Sequence, residues 1–152
     1  EPTSRSKERQ TSSSDFMLPT PWSHSIQPTG WWMSEKYDGI RALWDNNTKS
    51  FRLRNGKTIQ PPKAFLDSLP SLPNNMTQLD GVLWLGYGQQ GSLSQRLAEN
   101  PQDENLWNTI KYLVFDIPNS NTGWDERLKI LKSLSFSEDS PVRVIEQRLC
   151  EG

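Results

Sequence analysis

Residues 31–45 read WWMSEKYDGIRALWD, a stretch dense in aromatic and branched side chains around a central Asp38-Gly39 pair. Such residues suit strands, and Asp-Gly between two strand-like runs is the strongest short-range hairpin signal, because the two-residue turn needs positive φ. Two strands meeting at Asp38-Gly39 are therefore expected. In that hairpin Tyr37 would face Ile40, and Lys36 would face Arg41 on one side of the ribbon. Like charges directly opposite in a sheet cost up to about 1 kcal/mol, so the arrangement makes most sense with an anion, most simply a phosphate, between or above them. Arg54, at the next turn (Leu53-Arg54-Asn55-Gly56), would add a third cation suited to phosphate oxygens. From geometry alone three solvated surface charges are the commoner outcome.

Further turns are expected at Asp45-Asn46-Asn47 and Asn55-Gly56, with a strand over residues 50–54 between them and Pro61-Pro62 ending the meander. A short helix over 63–69, a strand over 77–85, a helix over 92–99 capped by Ser92 and a strand over 111–117 stopped by Pro118 follow. Residues 124–134 have the apolar spacing of an amphipathic helix, and 142–146 form a last strand. Strands dominate without strict βαβ alternation, so the expected class is α+β on an antiparallel sheet.

Residues 1–15 are Ser, Thr, Lys, Arg, Glu and Gln without apolar period, and cannot repay the entropy of ordering, so a disordered tail is expected, followed by one domain over 16–152. Residues 16–30, with three prolines, read as an extended lead-in. Lys and Arg total 17 against 18 Asp and Glu, which excludes a uniform field for nucleic acid or membrane, so any polyanion must be held locally. The single Cys150 forms no internal bridge, and no Cys/His cluster has zinc spacing. No apolar run approaches membrane-spanning length and no secretory signal opens the chain, so a soluble, intracellular protein without membrane contact is expected. The chain opens on Glu1 rather than Met, as a processed form or a piece of a longer protein would.

Lys36-Tyr37-Asp38-Gly39-Ile40-Arg41 matches the K-x-D-G-x-R signature of the covalent nucleotidyltransferases, which include DNA ligases, RNA ligases and mRNA capping enzymes. Arg54-Asn55-Gly56, Leu79-Asp80-Gly81-Val82-Leu83-Trp84 and Tyr112-Leu113-Val114-Phe115-Asp116 resemble the superfamily's next blocks in the right order. In detail the chain, from Met17 to its end, is most similar to small bacterial-type ATP-dependent DNA ligases. The resemblance implies an antiparallel-sheet, ATP-grasp-like adenylation domain that uses ATP and Mg2+, acts on nicked duplex DNA, and serves DNA repair, replication and recombination.

By the same resemblance Lys36 is the nucleophile that attacks the α-phosphate of ATP and becomes lysyl-AMP, and Ser34, Glu35, Arg41, Arg54 and Phe115 complete the ATP site. Arg41 would hold the ribose, Arg54 a phosphate, and Phe115 would stack on adenine, although an apolar run such as KYLVFDIP ordinarily means core. An amine attacks only when unprotonated, so Lys36 needs a pKa well below about 10.4; Arg41 and magnesium would lower it while Glu35 and Asp38 oppose them. Trp31, Trp32, Trp44, Trp84, Trp107 and Trp124 read as core, and His24 as an exposed bystander.

Two departures stand out. Relatives carry Asp-Gly-Glu in the third block, where this chain has Asp80-Gly81-Val82; losing that ribose acceptor costs on the order of 1–3 kcal/mol, roughly ten- to a hundredfold in affinity. The later E-G and K-x-K blocks and the trailing OB-fold are not recognisable, and Glu151-Gly152 only resembles the E-G pair. A partial adenylation domain with impaired sealing is thus expected. An RNA ligase or capping-type relative, and a non-catalytic nucleotide-binding or structural descendant, remain as alternatives.

Overall fold

Ile40–Asp45 (β2) runs through the middle of a six-stranded sheet, in a computed structural model that describes residues 16–18, 20–72, 76–118, 122–134, 136 and 139–151. The elements in chain order are β1 (Trp32–Met33), β2, β3 (Ser50–Leu53), β4 (Thr58–Ile59), α1 (Lys63–Leu66), β5 (Gln78–Trp84), α2 (Gln90–Glu99), α3 (Glu104–Trp107), β6 (Lys111–Asp116), α4 (Trp124–Ser133), β7 (Val142–Val144) and β8 (Arg148–Leu149). The large sheet has the order β4-β3-β2-β5-β6-β7, antiparallel except for the parallel β6-β7 pair, which α4 connects as one βαβ unit. β1 and β8 form a separate antiparallel pair. The result is a mixed α/β fold rich in antiparallel sheet, as the residue pattern implies. The expected tail over 1–15 and Gly152 lie outside the described residues.

Period-two alternation divides the sheet into two faces. Ala42 and Trp44 of β2, Leu79 and Leu83 of β5, and Tyr112 and Val114 of β6 enter one core with Leu93 and Leu97 of α2 and Leu106 and Trp107 of α3. Phe51 sits at its aromatic centre, with ring centroids 5.0 Å from Trp44, 4.8 Å from Tyr112 and 6.0 Å from both Phe65 and Trp107. Arg41, paired with Val82, and Leu43, paired with Asp80, project from the opposite face.

The expected hairpin at Asp38-Gly39 does not form. β1 pairs with β8 at the far end of the chain, while β2 pairs with β3 and β5. Gly39 serves close approach instead: a Cβ there would lie 2.3 Å from the Leu83 carbonyl oxygen and 2.5 Å from Val82 Cγ1. Gly81 is equally constrained, since a Cβ would lie 2.4 Å from the Leu113 carbonyl oxygen and 2.8 Å from Tyr112 Cε1. The Tyr112 ring uses the space beneath Gly81, and its hydroxyl reaches the carbonyls of Ala42 and Leu79, each at 2.9 Å.

Two local expectations are also corrected, and two short elements lie where none was expected. α2 starts at Gln90, with Gln89 at the N-cap position and no side-chain cap, so Ser92 lies inside the helix. The sequence gives no warning of α3, a single turn whose Asp103 carboxylate accepts from the N–H groups of Asn105 and Leu106. The short strand β8 was also unforeseen. Of the tryptophans read as core, Trp44 and Trp107 are buried, Trp32, Trp84 and Trp124 half-buried, and Trp31 exposed.

Adding a methyl group at Gly81 forces two strands apart, so Gly81→Ala is expected to lower stability by about 1–3 kcal/mol. Gly123→Ala, where a Cβ meets nothing within 4 Å, should stay within about 0.5 kcal/mol. Urea unfolding of the two variants checks the difference.

Candidate active site

Arg41 is held by three hydrogen bonds and two aromatic rings. Its Nε and Nη2 donate to Asp80 Oδ1 and Oδ2 at 3.2 and 2.6 Å, a bidentate ion pair, and Nη1 donates to the Met17 carbonyl. Phe16 and Phe115 each place a ring against the guanidinium, with centroids 5.4 and 5.1 Å from Cζ. Of its five N–H groups these contacts engage three, and two remain for another acceptor. Asp80 is 1% exposed. Burial raises its carboxyl above the ordinary 3.8, Arg41 pulls it back down, and the Asp116 charge adds to the rise.

Phe115 reaches this position through an irregularity in the sheet. Asp80 pairs with Asp116 while Gly81 pairs with Val114, so Phe115 is the extra residue of a β-bulge. Val82 stands directly opposite Arg41, and the carboxylate that Arg41 grips belongs to Asp80, two residues earlier.

Five of the six predicted ATP-site residues line three clefts. Arg41 and Arg54 line a cavity of about 630 Å³ with Asn55, Lys57, Gln90 and Ser94. Ser34 and Phe115 line one of about 450 Å³ with Trp31, Trp32, Trp124 and Gln147. Ser34 and Glu35 line a third of about 230 Å³ with Tyr37 and Glu146. Lys36 is exposed on the segment between β1 and β2, and none of these three walls includes it. The structure thus brings Arg41 together with Phe115 and with Arg54, and Phe115 with Ser34, while the expected face-to-face placing of Lys36 and Arg41 across a hairpin is lost with the hairpin.

Glu35 accepts a hydrogen bond from the Tyr87 hydroxyl, whose pKa stands above the ordinary 10.0 chiefly because that bond holds its proton. Tyr87 also meets Trp84 edge-on at 5.3 Å, and Trp84 meets Tyr37 at 5.4 Å, tying the segment before β2 to the end of β5. Sequence reasoning missed Phe16, Met17, Asp80 and Tyr87 as partners of the site. Asp80 carried a signal, because it shares strand parity with Val82, whereas Phe16 and Met17 sit in a lead-in with no period to read. His24 is exposed, as expected. Cys150 is a free, half-buried thiol.

The fold is a mixed α/β, antiparallel-rich domain similar to one found in a DNA ligase. The chain is 32% identical over 136 residues to the DNA ligase of Haemophilus influenzae, an alignment covering 88% of this chain and 47% of that protein. It also superimposes with a TM-score of 0.66 and 28% identity on a solved structure from work on Lig E DNA ligases described as binding DNA with a minimal scaffold, covering 84% of this chain and 48% of that one. No family model matches it. The protein is DNA ligase-like, and it spans about half the length of the relatives it matches. Among the described residues no helix is long and apolar enough to cross a membrane.

Removing the guanidinium leaves a buried carboxylate alone, so Arg41→Met is expected to cost about 3–5 kcal/mol at neutral pH. Burial and Asp116 both raise Asp80, so without Arg41 its folded pKa climbs further above its unfolded value. A group raised in this way costs stability as pH rises through its folded pKa, and the cost disappears below the unfolded one. The variant's deficit relative to wild type should therefore narrow as pH falls, and a deficit that stays constant on acidification contradicts this assignment. Urea titrations of both proteins at several pH values read it.

Proposed function

We propose that this chain carries the nucleotide-binding half of an ATP-dependent DNA ligase, with Lys36 as the residue that accepts AMP. The observation that carries the reading is the clustering of Arg41, Asp80 and Phe115 on one sheet face, beside the cleft that Phe115 shares with Ser34. Likeness to DNA ligases in sequence and in fold supports it.

In this reading the unprotonated Lys36 Nζ attacks the α-phosphorus of ATP. A P–N bond forms, the bond to the β-phosphate oxygen breaks, pyrophosphate leaves, and the proton lost from the amine passes to solvent. Phosphoryl transfer is mostly positioning and charge stabilisation. Arg54 and Lys57 supply cations at a cavity whose lining contains no carboxylate, and Arg41 keeps two donors free for the sugar or phosphate. Phe115 offers a flat ring to adenine. Magnesium would neutralise phosphate charge when bound. It ordinarily keeps several waters and takes only one or two carboxylates with substrate phosphates, so it needs no cluster of three or more His, Cys, Asp or Glu, and none converges among the described residues. Glu35 and Asp38, exposed on either side of Lys36, are the nearest carboxylates in sequence. The adenylated lysine would then pass AMP to the 5′-phosphate of a nick in duplex DNA.

A second reading, a non-catalytic descendant, is favoured by one observation, the apolar Val82 opposite Arg41. The two readings separate in one experiment. Incubation with α-labelled ATP and magnesium should leave label on the wild-type chain and none on Lys36→Ala, and Val82→Glu should raise ATP affinity about ten- to a hundredfold by restoring an acceptor. An unlabelled wild type favours the second reading. Sealing assays on nicked DNA and nicked RNA duplexes then separate a DNA ligase from an RNA ligase relative, with sealing confined to DNA expected.

A further inference from the structure

Trp124 opens α4 and has no part in the reaction described above. Its ring is half-buried and lines the cleft of about 450 Å³ with Phe115, Trp31, Trp32, Ser34 and Gln147. Aromatic side chains make up most of that wall, and its two polar residues are uncharged. The cavity of Arg41, Arg54 and Lys57 differs in charge, with three cationic residues set among apolar ones such as Leu53, Ile59 and Leu97. Phe115 joins this cleft to Arg41, whose guanidinium lies 5.1 Å from its ring, so a cation borders an otherwise uncharged aromatic wall, a combination suited to a flat base with an anionic group nearby. At about 450 Å³ the aromatic cleft lies within the usual range for small-ligand sites.

Trp124 is also held there by more than surface packing. Arg127, one turn along α4, lies over its ring at 5.5 Å, donates from Nε to Asp116 Oδ1 at 2.8 Å, and donates from Nη1 to the Thr122 carbonyl at 3.0 Å. Asp116 is 3% exposed and accepts from the Ile117 N–H at 2.8 Å. It directly follows Phe115 in β6, so a single buried ion pair fastens both aromatic residues to one strand end. Trp32 is tied to the same helix, its Nε1 donating to Asp125 Oδ1 at 3.3 Å and its ring lying 5.3 Å from Lys132 Nζ.

We infer that Trp124, presented by α4 beside Phe115, is a second aromatic wall of the base cleft and contacts the purine ring of the bound nucleotide. The inference rests on the nucleotide-binding function proposed above and adds a recognition residue from outside the family blocks. In the 152-residue chain, Trp124→Ala is expected to weaken equilibrium ATP binding about five- to a hundredfold, while label still reaches Lys36 at saturating ATP. Trp124→Phe should keep affinity within about threefold, because a smaller ring still stacks. The quenching of tryptophan fluorescence by ATP should nevertheless fall in Trp124→Phe. Wild-type ATP affinity in Trp124→Ala, with Lys36 labelled, overturns this inference alone. A wild-type chain that binds no ATP overturns the proposed function with it. Should Trp124→Ala lose its cooperative unfolding transition, Trp124→Phe decides, and quenching equal to wild type counts against the assignment.

Discussion

The bidentate pair between Arg41 and Asp80 is the contact on which the rest of the site depends. A carboxylate that is 1% exposed is costly to ionise unless a cation meets it with good geometry, and Arg41 does so through two donors. The pair spans β2 and β5, and it forms because Gly39 and Gly81 let the backbones of β2, β5 and β6 approach more closely than any side chain would permit. Once fixed, the guanidinium gives Phe115 a surface to lie against and leaves two donors unspent. Phe16 and the Met17 carbonyl also contact the guanidinium, so a lead-in without regular structure is built into the site.

Much of the fold was legible because it follows local chemistry. β5 and β6 each lie within one residue of the apolar runs that announce them, and α4 starts at Trp124 as its spacing requires. What failed was long-range pairing. Asp38-Gly39 carries the residues of a hairpin turn, yet β1 finds its partner in β8, and Gly39 is needed for the sake of Leu83 rather than for a turn. Periodicity reports which residues want burial, and it is silent on which strand supplies the neighbour. The same limit explains the tryptophans. Trp44 and Trp107 alternate into the core, whereas Trp31 and Trp124 belong to edges where a ring is displayed to a cleft.

The candidate site divides along the same line. Arg41, Phe115 and Arg54 were identified from the order of short blocks, and the fold sets Arg41 against the Phe115 ring and places Arg54 with it in the wall of one cavity. Asp80 was quoted only as part of a block, although its parity with Arg41 is what organises the face. Tyr87 and Arg127 were invisible because their charged partners, Glu35 and Asp116, belong to other segments that no local pattern connects to them. Val82 is the one position where the departure read from the residues has a direct structural counterpart, an apolar side chain opposite an arginine that turns to the next carboxylate on the strand.

The central claim is that a nucleotide lies on this face with its base against Phe115 and its α-phosphorus before Lys36. A crystal structure of the chain with a non-hydrolysable ATP analogue and magnesium tests it most directly. The account predicts the adenine ring in the cleft of Ser34, Phe115 and Trp124, with Lys36 Nζ turned to the α-phosphate. An analogue seated with its base among Arg54, Lys57 and Ser94, and Lys36 directed into solvent away from its phosphates, would contradict it.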